Sequence, residues 1–166
     1  MFREMRRKAQ LLPEAESIAM LTEATSGVLA VLGDDDYAYA VPLSHVYHDG
    51  KIYFHCAKAG HKLDAVMRHS KASFCVVGKD QVVPEKYTTF FRSVIAFGRV
   101  RVLEDAAEKR AALEVLAARF SPDHEEGRKK EIDMLIGNVA LLEFTVGHMT
   151  GKEAIELVKE KQQKQA

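Results

Sequence analysis

Asp49-Gly50 lies between two runs of alternating residues, and this arrangement constrains the fold more than any other feature of the sequence. An Asp-Gly pair accepts the positive φ values of a tight two-residue turn, so the flanking runs read as paired antiparallel strands. In residues 37–48, Tyr37, Tyr39, Val41, Leu43, His45 and Tyr47 share one face. Ala38, Ala40, Pro42, Ser44 and Val46 share the other. Residues 51–57 form the return strand. Pro42 has no N–H to give to a ladder, so it marks an edge, a bulge or a break.

Further strands are expected at 28–32, 72–77, 93–103 and 139–146, which makes about six. Helices are expected at 12–24, 61–69 and 105–120, the last with an apolar stripe of Leu113, Leu116 and Phe120. Residues 33–36 read as a turn, 81–89 as a loop around Pro84, and 121–131 as a charged loop leading to helical turns. The tail from 156 is rich in lysine and glutamine and is expected to fray. Short antiparallel strands joined by turns favour a small barrel over a parallel sheet. The expected class is mainly β (α+β), with one domain over 1–155 and a polar tail over 156–166.

Composition narrows the function. The chain has 166 residues, about one domain, and its 24 basic and 24 acidic residues cancel. That balance gives no electrostatic footprint for nucleic acid. No apolar run reaches the ~18 residues of a membrane helix. The opening MFREMRRKAQ lacks the apolar stretch of a signal peptide, so a cytoplasmic protein is expected. Cys56 and Cys75 form no CxxC pair and are read as small core residues on neighbouring strands. His45 and His48 fall on opposite faces, and Asp34–Asp36 lacks calcium-loop spacing, so no metal site is expected. The phosphate-binding loop, the G-x-G-x-x-G fingerprint and the G-x-S-x-G elbow are absent.

Four stretches carry possible chemistry. At Lys58-Ala59-Gly60-His61-Lys62 a strand gives way to a helix, whose free N–H groups and added cations suit a phosphate. The same residues also describe a solvated turn. His55 shares a strand face with Tyr53 and Ala57. It is an acid–base candidate, or a histidine satisfied within a core or interface. The 39–44 stretch, expected to pair with the His55 strand, offers backbone groups around Pro42 to a planar ligand, or is simply an edge. Thr88–Ser93 combines hydroxyls, aromatics and Arg92, which can fork onto a phosphate or carboxylate or sit at the rim of a Phe pair.

In order and spacing, the chain resembles the nitroimidazole-resistance proteins of the pyridoxamine 5′-phosphate oxidase-like flavin-binding superfamily. The residues that carry this are Phe2–Lys8, Gly27–Ala30, Tyr39–Leu43, Gly50–His55, Gly60–Asp64 and Phe91–Gly98. The resemblance implies a six-stranded antiparallel split β-barrel with flanking helices, forming a homodimer with FMN at the subunit interface. It implies a ring site along Val41, Pro42, Leu43 and Ser44 and near His55, Cys56 and Ala57. It implies a phosphate site at Lys58, His61 and Lys62, completed by Arg92 and Ser93 from either subunit. His55 would act on the substrate. The implied activity is FMN-dependent reduction of a nitroimidazole or other nitroaromatic; the alternative is a flavin-binding relative without it. The chain has no tryptophan and lacks the C-terminal segment of true pyridoxamine phosphate oxidases, which argues against vitamin B6 oxidation.

Overall fold

The computed structural model describes residues 2–165. Eight strands and five α-helices follow one another as β1 (Leu11–Leu12), α1 (Glu14–Glu23), β2 (Ser26–Leu32), β3 (Ala38–Ser44), β4 (Val46–His48), β5 (Lys51–Ala57), α2 (His61–Arg68), β6 (Lys71–Val83), β7 (Thr88–Val102), α3 (Ala106–Phe120), α4 (Glu125–Leu135), β8 (Val139–Glu153) and α5 (Ile155–Gln165). Every ladder is antiparallel, in the order β3-β2-β6-β7-β8-β5-β4, with β1 also on β8. The mainly β class with flanking helices is as expected.

The two ends of this order, β3 and β4, are consecutive in the chain and separated only by His45. The sheet must therefore curl until its edges approach, yet no ladder joins them, so the barrel stays split there. Leu29, Ile52, Phe54, Phe74, Val76, Val94, Leu142 and Phe144 fill the interior. Each such side chain contributes about 1.5–3 kcal/mol by leaving water. The fully buried His45 sits at the seam. Its Nε2 lies 2.9 Å from the Leu21 carbonyl of α1, and its ring meets Phe74 edge-on at 4.8 Å.

Several expectations are corrected. The 37–48 run is two strands, because its halves pair with different partners: β3 with β2, and only β4 with β5. The break falls at His45, while Pro42 lies on an edge strand whose free side needs no N–H. Cys56 and Cys75 are not on neighbouring strands, since β7 and β8 lie between β5 and β6. The expected loop at 81–89 is mostly ladder: Gln81, Val82 and Val83 pair with Phe90, Thr89 and Thr88, leaving only a short turn at Pro84–Lys86. Residues 125–135 are a full helix, anchored by buried Ile132 and by Arg110 Nη2 to Asp133 at 2.6 Å. The tail from 156 is helical through Gln165, with Ala166 outside the described residues. Leu157 packs with Val83, Phe90 and Ala154, and Lys161 reaches Glu16 at 2.8 Å and Glu153 at 3.0 Å.

Candidate functional site

β4 and β5 pair Val46 with Tyr53, so continuing that register backward sets Ser44 opposite His55. Both side chains line one groove, although β3 has by then left for the other edge of the sheet. β3 alternates strictly. Tyr39, Val41 and Leu43 pack against the interior, while Ala40, Pro42 and Ser44 face out. The outer face thus carries no side chain larger than proline, which leaves a flat shelf. Val41 and Leu43 can offer it only backbone groups. On β5, His55 and Ala57 are exposed, and Cys56 turns toward the interior. Burial pushes the Cys56 thiol up, with the Lys62 charge pulling the other way.

α2 begins one turn beyond the end of β5. Gly60 stands at its cap with φ 126°, a conformation that only glycine adopts readily, and the N–H groups of Leu63 and Asp64 bond its carbonyl. The N–H groups of His61 and Lys62 stay open toward the turn. Lys58 and Lys62 form no ion pair among the described residues. His61 is committed elsewhere: its ring stacks on Tyr39 at 4.1 Å, and its Nε2 accepts the Asp34 N–H at 3.2 Å. The Arg68 hydrogen bond holds the Asp34 carboxyl below its usual range, helped by the Arg68 charge.

The sequence reading missed Lys109. It comes from α3, whose charges look like a solvated face, and no local signal marks it. Burial pushes its ammonium down, and the neighbouring Lys58 charge pushes it further. The charge of Lys109 thus acts on Lys58, which lies in the turn leading to α2.

Arg92 and Ser93 stand apart. Ser93 pairs with Val77 and Lys152 on the outer face of β7. Arg92 Nη2 is 3.0 Å from buried Glu153, and the residue lines a separate polar cleft with Glu16, Ser26 and Gly78. Within one chain these two do not join the His55 group. A second buried carboxylate, Glu143, lies on the outer face of β8, two residues from His55's partner Leu141. Burial pushes its carboxyl up, but bonds from Arg101 at 2.8 Å and Lys51 at 2.9 Å outweigh this and hold it below the ordinary value.

Residues 13–153 match the family described as pyridoxamine 5′-phosphate oxidase. The chain belongs to this family. No curated protein matches its sequence. Among solved structures, a candidate 5-nitroimidazole antibiotic resistance protein from Bacteroides thetaiotaomicron is similar with a TM-score of 0.73 and 21% identity, over 86% of each chain. The flavocytochrome Anf3 from Azotobacter vinelandii is similar with a TM-score of 0.76 and 19% identity, over 92% of this chain and 72% of that one. The FAD and heme binding protein from Mycobacterium smegmatis follows with 0.74 and 20%, over 89% and 74%. These likenesses establish the fold that this member of the pyridoxamine 5′-phosphate oxidase family shares with them. The split barrel and the pyridoxamine 5′-phosphate oxidase-like family expected from the sequence are upheld, but with eight strands in place of six, because β4 separates from β3 and the short β1 pairs with β8.

Proposed function

We propose that this protein is a flavin-dependent oxidoreductase, binding FMN and reducing a nitroaromatic such as a 5-nitroimidazole. The observation that carries the reading is the meeting of Ser44 and His55 across the split, beside a flat shelf and a cationic helix start. The residues fit the cofactor. The shelf of Ala40, Pro42 and Ser44 would carry a planar ring, and the backbone of Val41 and Leu43 would offer hydrogen bonds to it. Lys58, Lys62 and the open N–H groups of α2 suit a phosphate, with Lys109 adding charge. In this reading His61 braces the helix against Tyr39 and Asp34.

When bound, FMN would supply two-electron chemistry. Reduction of an aryl nitro group to nitroso takes two electrons and two protons and releases one water. The electrons come from an external reductant. His55, exposed at the shelf edge, is placed to give a proton to the nitro oxygen as negative charge develops there. Ser44 can donate a hydrogen bond to the same oxygen.

The reading includes a homodimer. The outer sheet face carries the cross-strand rows Pro42-Val28-Cys75-Ile95-Thr150 and Ala40-Ala30-Ser73-Phe97-His148. Val28, Ile95 and Phe97 lie exposed on it. Because Pro42 and Ala40 belong to both this face and the shelf, a second copy seated here would border the flavin. Arg92 and Ser93 then have a route to the partner's site.

An absorption spectrum before and after loading with FMN tests the reading. Flavin bands near ~450 nm that survive desalting support it, and a protein that stays colourless with excess FMN refutes it. His55→Ala should keep those bands and lose at least tenfold in nitro-reduction; full turnover in that variant removes His55 from the mechanism. Flavin carriage without a dedicated substrate is the second reading, favoured by neighbours named for the flavin they bind. It predicts bound flavin and no acceleration of nitro-reduction.

A further inference from the structure

A groove of about 490 Å³ opens beside His55, and most of it lies beyond the shelf. Leu113, Leu116 and Phe120 of α3 line it, with Ile132 and Leu135 of α4 and Val139 at the start of β8. Leu116 and Ile132 are buried, but Phe120 and Leu135 remain 44% and 42% exposed. Two large apolar side chains thus stand in water where a concave surface converges on Ser44 and His55. A volume of this order suits a small organic molecule.

The charges of the groove select the ligand. Arg128 is its one cationic lining residue, and its Nη1 already donates to the carbonyls of Ser121 and Pro122 at the C-terminus of α3. That geometry caps the helix and directs the positive charge to its negative end. The one acidic lining group is the exposed Glu131, which repels anions. The polar groups of Ser44, His55 and His124 can meet a hydrogen-bonding end, and the rest of the wall is hydrocarbon.

We infer that this groove holds the apolar body of an uncharged substrate, with the reacting end presented to His55 and Ser44. The α3–α4 pair is then the specificity element, and the reacting end rests on the flavin reading above. The groove lies on the β4, β5 and β8 side, where α3 packs, and not on the β2–β6–β7 face assigned to the second copy.

The test is a titration of the neutral fluorophore N-phenyl-1-naphthylamine into the full chain and three variants. Phe120→Ser and Leu135→Ser alter the groove at exposed positions. Tyr87→Ser alters an exposed aromatic on the β6–β7 turn. Each groove variant should bind the probe at least tenfold more weakly, with Tyr87→Ser within twofold of the parent and flavin absorbance equal in all four. Unchanged affinity in both groove variants overturns the inference, as does an equal loss in Tyr87→Ser. A fall in native mass caused by the groove variants also overturns it, by assigning the face to a second copy. On the unmodified protein, methyl benzoate should displace the probe at a concentration at least tenfold below that of benzoate; the reverse order overturns the inference without any variant. Lack of flavin together with normal probe loss in the groove variants refutes the flavin reading alone. Full flavin with insensitive groove variants refutes the groove alone.

Discussion

At His45 the chain leaves one edge of the sheet and enters the other, and the cost of that crossing falls on a single imidazole. With Nε2 donating to the Leu21 carbonyl, Nδ1 is left buried without a partner. Burial pushes the imidazole pKa down from 6.5, against the Leu21 hydrogen bond, and the Arg119 charge pushes it further down. Above about pH 6.5 the ring is neutral in both folded and unfolded chains, and its titration leaves stability unchanged. As the pH falls below that value the unfolded chain takes up a proton that the folded chain refuses, so stability is lost. One proton limits the slope to about 1.4 kcal/mol per pH unit. Glu143 acts in a lower window, because its depressed pKa gives stability that is lost only as pH falls below its unfolded value of about 4.5. Urea-unfolding midpoints between pH 7 and 5 should therefore decline more steeply for the parent than for His45→Gln, which can still donate to Leu21. Parallel slopes would show that His45 is not the group responsible.

Among the elements, β7 and β8 depend most on a local irregularity. Their register shifts between Phe97 and Gly98, with Gly147 as the extra residue on β8. A Cβ at Gly98 would meet the Thr145 carbonyl oxygen and come within 2.8 Å of the buried Phe144 ring. Neither neighbour can give way, so Gly98→Ala should cost about 1–3 kcal/mol as overpacking. Thermal unfolding should register this as a drop of several degrees, and an unchanged midpoint would mean the strands can separate there freely. Such close approaches explain what the sequence made legible. Alternation exposed the faces of β3 and β5, the apolar run 28–32 marked β2, and Asp49-Gly50 fixed one hairpin, because these signals are local. Pairing is not local. Alternation runs through His45 unbroken, so nothing in 37–48 reveals that its halves pair with strands at opposite ends of the sheet. α4 reads as loop because its composition is charged and it contains Gly127; its support comes from Ile132 and from Arg110 on another helix. At the site, Gly60-His61-Lys62 was visible as a helix start. The Asp34 partner of His61 and the Lys109 neighbour of Lys58 arrive from distant segments that no spacing rule connects.

For the whole molecule, the decisive surface is the outer face of β2, β6 and β7. A monomer would leave Ile95 and Phe97 about 40% exposed on a face where their cross-strand partners on β6, Cys75 and Ser73, are small. Phe2 covers part of it by stacking on His148 at 4.6 Å and lying 5.6 Å from Phe97, but Phe2 is itself half exposed. Isolated apolar side chains on a surface need no explanation, whereas a continuous patch marks an interface. If the patch joins two copies, light scattering should give a native mass of twice 18.6 kDa. Paired lysines at Ile95 and Phe97 would place like charges on both sides of a symmetric contact, so Ile95→Lys/Phe97→Lys should run as the monomer. The shelf at Ala40 and Pro42 continues into this face through Ala30 and Val28. Losing the partner should then also release the flavin, and the monomeric variant should desalt colourless. A monomeric variant that kept its flavin would confine the cofactor site to one chain and leave Arg92 and Ser93 outside it. A variant that stayed dimeric would move the interface to another face.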